Sequence, residues 1–385
     1  MDIQAPTALL GGLSPTQFMR RHWQKRPLLV RQALPGVRPP LARAALFDLA
    51  GADDVESRLV RRDDAGRWHL RRGPLPRRAL PPLSSTGWTL LVQGLDLHVE
   101  AAHALLSRFA FVPAARLDDL MLSYASDGGG VGPHTDAYDV FLVQVAGRRR
   151  WRYGRVTHPR WRDDVPLRML ASFTPEEEHV LQAGDLLYLP PGWGHDGIAQ
   201  GHDCMTASVG YRTPAADELA RALLARLADT ESDDPRGRVH YRDPRQGATT
   251  QAGAMPAALQ AFAASALQRL LRQPGAIERA LGEWITEPKP QVWFEAGAGD
   301  ARGGVRLDRR TRMAYDERHV YMNGESWRAA GRDARLMRQL ADARALQARD
   351  VRALSAGARG VLDEWIEAGW VRVAGAEAKG GHDAT

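Results

Sequence analysis

Two histidines and one aspartate in this chain have the spacing of a mononuclear metal site. His134 and Asp136 follow the glycine-rich segment 128–133, and His195 stands 59 residues after Asp136 at the end of the segment 190–195. Two imidazoles and one carboxylate form the 2-His-1-carboxylate facial triad, which holds iron(II) on one face and leaves the other open for substrate and oxygen. The three residues therefore predict both a metal site and the catalytic centre of an oxidation.

Strands are the elements that must position these side chains. Residues i and i+2 of a strand point to the same face, so an extended backbone would project His134 and Asp136 together, and His195 would join them from a distant strand end. Short apolar runs separated by Gly and Pro occupy residues 80–215 and favour a closed or sandwiched β structure. The candidate strands are Trp88–Val92, Met121–Tyr124, Val140–Val145, Arg149–Tyr153, Asp185–Leu189 and Met205–Tyr211.

Helical periodicity replaces the strand pattern after Thr213. Leucines recur at helical spacing from 219 to 227, and further helices are predicted over 256–272 and 277–285. From Lys289 onward, strand candidates around the tight-turn signal Asn323-Gly324 alternate with helices over 333–343 and 355–369. The order of elements predicts an α+β protein whose β-rich part comes first.

The bulk composition is that of a globular protein, with 44% hydrophobic and 25% charged residues among 385,. That length allows two or three domains of ~100–200 residues each. The single cysteine, Cys204, excludes an internal disulfide and a thiolate metal cluster, which favours a reducing cytoplasm. We find neither an apolar run of about 18 residues nor a signal-peptide pattern, so no membrane association is expected.

The net charge of +6 and a pI of about 9.7 raise the question of nucleic acid as a partner. A basic surface can meet RNA or a ribonucleoprotein. Only three residues are lysines, so nearly all positive charge is arginine, as genome composition bias would also give. The charge alone is compatible both with a nucleic-acid partner and with composition bias.

Three blocks around the triad resemble the JmjC-type ribosomal oxygenases, and more narrowly their bacterial branch, which hydroxylates an arginine of ribosomal protein L-sixteen (uL16). The blocks are Gly128–Asp136 with Tyr138–Phe141, Gly147–Trp151 and Gly184–His195. The resemblance implies three parts: a double-stranded β-helix (jelly-roll, cupin) catalytic domain over 1–213, a helical dimerisation domain over 214–287 and a winged-helix domain over 288–374. The tail over 375–385 is small and polar and is predicted to be disordered,.

The resemblance also implies the cosubstrates iron(II), 2-oxoglutarate and O2. Arg149 lies where this branch places the arginine that binds the far carboxylate of 2-oxoglutarate, and a planar guanidinium suits that task. Strand alternation points Arg148 and Arg150 the other way. Ser126 and Ser208 are further candidates for hydrogen bonds to the same carboxylate.

A substrate arginine needs an acid or an aromatic face. Asp127 is expected to pair with its guanidinium and Tyr138 to stack on it. Asp127 can equally be a turn residue and Tyr138 part of the barrel core. Asp139 and Asp196 are expected to be structural or to orient the metal-binding histidines.

The leading hypothesis is an iron(II)- and 2-oxoglutarate-dependent protein arginine hydroxylase, a cytoplasmic homodimer that acts on a ribosomal protein, with ribosomal RNA near its surface. A histidyl hydroxylase or a demethylase of the same superfamily is an alternative that keeps the chemistry and changes the target. A third hypothesis is a metal-binding cupin without turnover that serves as an interaction module.

Overall fold

The structure is a computed structural model that describes residues 2–229 and 239–374. The tail 375–385, predicted to be disordered, lies outside the described residues. One compact unit holds the residues up to Thr213 together with Lys289–Phe294, and the other holds Pro214–Pro288 and the residues from Glu295 onward. The predicted helical and winged-helix regions thus share one unit, and their separation into two domains stays a prediction.

The described part of the first unit contains four α-helices and ten strands. The helices are α1 (Pro15–Arg21), α2 (Arg43–Leu49), α3 (Leu95–His98) and α4 (Glu100–Ser107). The strands are β1 (Leu28–Val30), β2 (Ser57–Arg62), β3 (Trp68–Arg72), β4 (Trp88–Val92), β5 (Leu117–Ala125), β6 (His134–Thr135), β7 (Val140–Arg155), β8 (Glu177–Gln182), β9 (Leu186–Leu189) and β10 (Trp193–Tyr211).

The described part of the second unit contains six helices and six short strands. The helices are α5 (Ala216–Asp229), α6 (Ala257–Leu271), α7 (Ala276–Thr286), α8 (Gly331–Ala343), α9 (Ala348–Arg352) and α10 (Ala356–Glu367). The strands are β11 (Gly304–Leu307), β12 (Met313–Tyr315), β13 (His319–Met322), β14 (Glu325–Arg328), β15 (Ala345–Gln347) and β16 (Val371–Val373). Among the described residues, no helix combines the length and the apolar character that crossing a bilayer requires.

The ten strands of the first unit form one antiparallel sheet in the order β1-β9-β7-β10-β5-β4-β2-β3, with β6 added on β10 and β8 on β7. Its two longest strands, β7 and β10, pair along most of their length. The runs predicted as separate strands on either side of Gly147 are one strand, because Gly147 adopts φ +63 and lets β7 bend. A side chain there would also approach the carbonyl oxygen of Asp203 to 2.8 Å. This curled antiparallel sheet is the predicted jelly roll.

The main core covers one face of β7 and is anchored by α1. A capping box starts this helix, since Ser14 Oγ accepts from the N–H of Gln17 and Gln17 Oε1 accepts from the N–H of Ser14. Phe18 on this helix is fully buried, with its ring centroid 5.4 Å from that of Phe141 and 4.9 Å from that of Tyr188. By alternation the opposite face of β7 carries a smaller cluster, to which Val140, Leu142, Trp151 and Tyr153 belong,.

In the second unit, α7 packs on the sheet formed by β12, β13 and β14. Gly282 leaves room for the ring of Tyr321, which a Cβ at that position would meet at 2.3 Å. Thr286 Oγ1 accepts from the N–H of Gly324, and the predicted turn is present, with φ of 50° at Asn323 and 93° at Gly324. By contrast, α6 has no buried residue.

Candidate metal centre and its surroundings

The pairing of β6 with β10 brings the two histidines of the triad together. The register sets His134 directly opposite His195 and Thr135 opposite Gly194. Directly opposed residues of an antiparallel pair have neighbouring side chains on one face, and the two imidazole centroids lie 4.2 Å apart,. Asp136 follows β6 immediately, so one short strand delivers two of the three candidate ligands.

The three side chains converge as a metal site requires. Asp136 Oδ2 lies 3.5 Å from His195 Nε2, and Asp136 Oδ1 lies 4.0 Å from His134 Nε2. One ligand atom from each residue lies within 4.8 Å of the other two. The His195 side chain is 4% exposed, whereas those of His134 and Asp136 are 25% and 19% exposed. The centre therefore has one buried side and one accessible side.

Backbone carbonyls fix the orientation of both imidazoles. His134 Nδ1 lies 2.9 Å from the oxygen of Gly132, and His195 Nδ1 lies 3.1 Å from that of Trp193. Because a carbonyl oxygen only accepts, each Nδ1 carries the proton and each Nε2 presents its lone pair toward Asp136. Burial, followed by the neighbouring His134, lowers the pKa of His195 to about 4, so this imidazole is neutral at neutral pH. Neutral imidazoles are what a metal needs as ligands.

The two aspartates considered as orienting groups contact neither imidazole. Asp196 lies directly opposite Arg152 and forms an ion pair with it on the other face of the strands. Asp139 is buried and accepts hydrogen bonds from the Tyr188 hydroxyl at 2.5 Å and from Gln24 Nε2 at 3.0 Å. Of the two roles expected for them, the structural one fits these contacts.

Arg149 presents a buried cation on the site face of β7. It is 6% exposed, and among the described residues its Nε and Nη2 have no hydrogen-bond partner. Its guanidinium carbon lies 5.5 Å from the ring centroid of Trp151, which in turn lies 5.9 Å from that of His195. Burying a charge without a partner costs folding free energy. This position therefore indicates an anionic ligand from outside the described residues. Arg148 is exposed and Arg150 faces Glu178 at 3.7 Å, as alternation predicts.

The two candidate serines differ in what their hydroxyls contact. Ser126 is fully buried, and its Oγ both accepts from the N–H and donates to the carbonyl oxygen of Trp88. Since a hydroxyl has one proton to donate, Ser126 has none left for a ligand carboxylate. Ser208 lies opposite Met121 and Leu142, and its hydroxyl has no hydrogen-bond partner in the described part of the chain. Only Ser208 keeps a donor for a ligand.

The two candidate substrate residues lie in different places. Asp127 is exposed, and its Oδ1 accepts from the N–H of Gly201 at 2.7 Å. Gly201 stands six positions beyond His195 on β10, which corresponds to about 20 Å of extended strand,. Asp127 therefore stabilises a turn that is distant from the triad. Tyr138 is 41% exposed and lies beside the triad. Burial of its hydroxyl end raises the pKa of Tyr138, and the carboxylates of Asp136 and Asp119 raise it further.

Asp119 is an acidic residue of the site that the sequence did not reveal. It is 5% exposed, and its Oδ2 accepts from Lys289 Nζ at 3.1 Å and from the N–H of Gly94 at 3.0 Å. Its Oδ1 has no hydrogen-bond partner among the described residues and faces Gly210, where a Cβ would lie 3.8 Å from Oδ1 and 3.9 Å from the Tyr138 ring. Extending the predicted strand by a few residues before Met121 and applying alternation would have found Asp119.

Comparisons with known proteins agree with this arrangement. A JmjC domain matches residues 104–219, and a ROXA-like winged helix matches residues 269–372. Ribosomal protein uL16 3-hydroxylase of Escherichia coli is 35% identical over 277 residues, which are 71% of this chain and 72% of that relative. Probable ribosomal oxygenase of Haemophilus influenzae is 36% identical over 229 residues, which are 57% of this chain and 55% of that relative.

A solved structure extends the likeness to nearly the whole chain. The structure of YcfD, a ribosomal oxygenase from Escherichia coli, in complex with cobalt and 2-oxoglutarate, matches with a TM-score of 0.77 at 29% identity. The match covers 93% of this chain and 98% of that one. Both compact units are therefore included in the likeness.

Proposed function

The chain belongs to the JmjC ribosomal oxygenase family, and we propose that it is an iron(II)- and 2-oxoglutarate-dependent hydroxylase of an arginine side chain in ribosomal protein uL16. The observation that carries the proposal is the triad of His134, Asp136 and His195 beside the buried, unsatisfied guanidinium of Arg149. The relatives support the reaction, since one is a uL16 3-hydroxylase and a similar structure holds 2-oxoglutarate and a divalent metal.

The donor set of the triad fits iron(II). Two neutral imidazole nitrogens and one carboxylate converge, and each imidazole is held by a carbonyl behind it,. Iron(II), when bound with O2 and 2-oxoglutarate, supplies the oxidation that inserts one oxygen atom into a C–H bond while 2-oxoglutarate becomes succinate and carbon dioxide. The triad's part is to hold that iron and leave its accessible side free.

Arg149 is the residue proposed to bind the distal carboxylate of 2-oxoglutarate. A carboxylate would satisfy the two guanidinium nitrogens that lack partners within the described chain, and a guanidinium–carboxylate pair is strongest where water is excluded,. The Trp151 ring packs near both Arg149 and His195. Ser208 stays a candidate for a supporting hydrogen bond, whereas the contacts of Ser126 argue for a structural role.

Tyr138 and Asp119 are proposed to receive the substrate arginine. Tyr138 offers an exposed aromatic face beside the triad, on which a guanidinium can stack,. Asp119 adds an acceptor oxygen across the gap left by Gly210. Lys289 and the N–H of Gly94 hold the other carboxylate oxygen and thereby orient the carboxylate. Asp119 replaces Asp127 as the acid of this pocket.

The protein is proposed to act as a homodimer in the cytoplasm. The helical region α5–α7 exposes large apolar side chains: Leu224, Leu259, Leu267, Leu271, Ile277 and Leu281. A cluster of exposed apolar side chains indicates an interaction surface. A second copy of the chain is the partner that we propose for it, because most oligomers are symmetric assemblies of one chain. The cytoplasm is the compartment in which a ribosomal protein substrate is met.

Turnover with the proposed substrate tests the function. Purified protein with iron(II), 2-oxoglutarate and uL16 should form succinate and hydroxylated uL16 in equal amounts. His134→Ala should abolish both products, because it removes a metal ligand. Succinate formation that uL16 does not stimulate would contradict the substrate, and the absence of any succinate from metal-loaded protein would contradict the enzyme.

A further inference from the structure

One hairpin of the first unit is strongly basic. Residues 61–78, here called the basic hairpin, contain seven arginines and two aspartates, a net charge of +5. They comprise the end of β2, all of β3 and the segment that follows.

Few of these cations are neutralised within the described structure. Arg67 and His69 share Asp63, and Arg77 faces Asp48. No ion pair forms at Arg61, Arg71, Arg72 or Arg78 in the part of the chain that the structure describes, and all four are exposed.

The pairing of β2 with β3 crowds these charges. The register sets Arg72 directly opposite Arg58 and places Arg71 opposite Leu59. Like charges directly opposed in a sheet are destabilising, so this hairpin folds against its own repulsion. A polyanion would relieve that repulsion, and neutralising its phosphates would release their counterions.

A groove with an aromatic side chain runs beside the hairpin. Its volume is about 780 Å³, and β3, an edge strand of the sheet, lies along it. The lining residues include Arg61, Arg71 and the half-buried Trp68. In nucleic-acid-binding proteins, guanidinium groups bind the phosphate backbone and a neighbouring aromatic ring stacks on the bases.

One loop connects the groove with the metal centre. Pro166 lines the groove, and the same loop carries Leu170, whose N–H donates to the oxygen of Pro133 at 2.7 Å. Pro133 immediately precedes the candidate metal ligand His134.

We propose that the basic hairpin is an RNA-docking surface that binds a phosphate backbone. The choice of RNA among polyanions rests on the proposed function, because a ribosomal protein is met together with RNA. An acidic protein segment is the competing occupant. It offers carboxylates but no bases for Trp68 to stack on.

Binding of a short fluorescein-labelled RNA, followed by fluorescence anisotropy across a range of salt concentrations, tests the proposal. Combining Arg61→Ala, Arg71→Ala and Arg72→Ala should weaken binding at least tenfold and lower the slope of log K against log salt by about 2, at roughly 0.7 per lost phosphate contact. The matched control combines Arg318→Ala, Arg328→Ala and Arg335→Ala, which removes three exposed arginines of the second unit that form no ion pair with the described residues. It should bind RNA within twofold of the wild type.

Three results would overturn the proposal: RNA binding by the hairpin variant at wild-type strength, equal losses in the two triple variants, or equally tight binding of polyglutamate by the wild type. Equal melting temperatures establish that both variants are folded. The assay needs no turnover, so RNA binding without uL16 hydroxylation counts against the proposed function alone. Hydroxylation of free uL16 should be unchanged in the hairpin variant.

Discussion

At the scale of single residues, the site contains polar groups whose arrangement indicates a ligand from outside the described residues. The guanidinium of Arg149 is buried without a hydrogen-bond partner for Nε or Nη2 among the described residues. The Nε2 atoms of His134 and His195 both face the carboxylate of Asp136. A fold keeps such costly groups where a ligand compensates them, so their position is informative about function.

Replacing Arg149 by methionine should separate ligand binding from stability. Without ligand, Arg149→Met should be no less stable than the wild type, because it removes a buried charge that lacks partners. With manganese(II), 2-oxoglutarate at a hundred times its Kd should stabilise the wild type by about 2.7 kcal/mol and the variant hardly at all. Thermal melting with and without 2-oxoglutarate measures both effects. The control Arg150→Met, on the opposite face, should keep the ligand effect.

Asp96 provides a residue-scale prediction about pH. Burial, and then the charge of Asp119, raise the pKa of Asp96 to about 7. Between pH 4 and 7 the folded state thus holds a proton that the unfolded state has lost, so stability falls as pH rises through this window. The full effect is on the order of 4 kcal/mol.

Asp96→Asn mimics the protonated form and should remove that dependence. Urea unfolding should find the variant more stable than the wild type at pH 8 and close to it at pH 5. Asp48→Asn, at an exposed ion pair, serves as the control and should leave the slope unchanged. A stability difference between wild type and Asp96→Asn that is the same at pH 5 and at pH 8 would contradict the buried, protonated Asp96.

At the scale of elements, the register between β7 and β10 determines the site. It sets Trp151 opposite Gly197, where the missing side chain leaves space for the indole. A Cβ at Gly197 would lie 2.6 Å from the Trp151 ring. Because the Trp151 ring lies near both Arg149 and His195, Gly197 shapes the space beside the arginine that is proposed to bind 2-oxoglutarate.

Gly197→Ala should displace Trp151 and weaken 2-oxoglutarate binding. Overpacking of this kind costs about 1–3 kcal/mol of stability. In Gly210→Ala the new Cβ would meet its neighbours only at 3.8 Å and beyond, so that variant should keep the wild-type melting temperature and 2-oxoglutarate affinity. Isothermal titration with 2-oxoglutarate and thermal melting measure the contrast. Equal behaviour of the two variants would refute the role given to Gly197.

The elements also show how much of the fold can be predicted from the sequence. The capping box of α1, the strand at Trp88–Val92 and the turn at Asn323-Gly324 carry local signals, and the structure has all three. The sequence did not predict β2 and β3, because arginines interrupt the alternation of apolar and polar residues that is typical of a strand.

The candidate site could be predicted only in part. The triad has a spacing that can be read along the chain, whereas Arg149 was assigned from the family resemblance. The acid proposed for the substrate pocket, Asp119, depends on pairing between distant strands, and Asp127 contacts a turn instead.

At the scale of the whole molecule, the described chain forms two compact units, and the second carries an unpartnered apolar surface. None of the residues of α6 is buried, and its Leu267 and Leu271 are 57% and 40% exposed. An isolated amphipathic helix gains its stability from packing, so α6 requires a partner surface.

Leu267→Glu combined with Leu271→Glu should therefore convert the dimer to a monomer. Light scattering coupled to gel filtration measures the mass. The control Leu83→Glu changes an equally exposed leucine of the first unit and should leave the dimer intact. A wild-type protein that elutes as a monomer at micromolar concentration would contradict the proposed homodimer.

The most direct test of the central claim is tandem mass spectrometry of uL16 after incubation with this protein, iron(II) and 2-oxoglutarate. The triad, Arg149 and the pocket of Tyr138 and Asp119 predict the gain of one oxygen atom on an arginine side chain, and no gain with His134→Ala. An oxygen atom on a histidine, a lost methyl group or an unmodified uL16 despite succinate formation would contradict the claim.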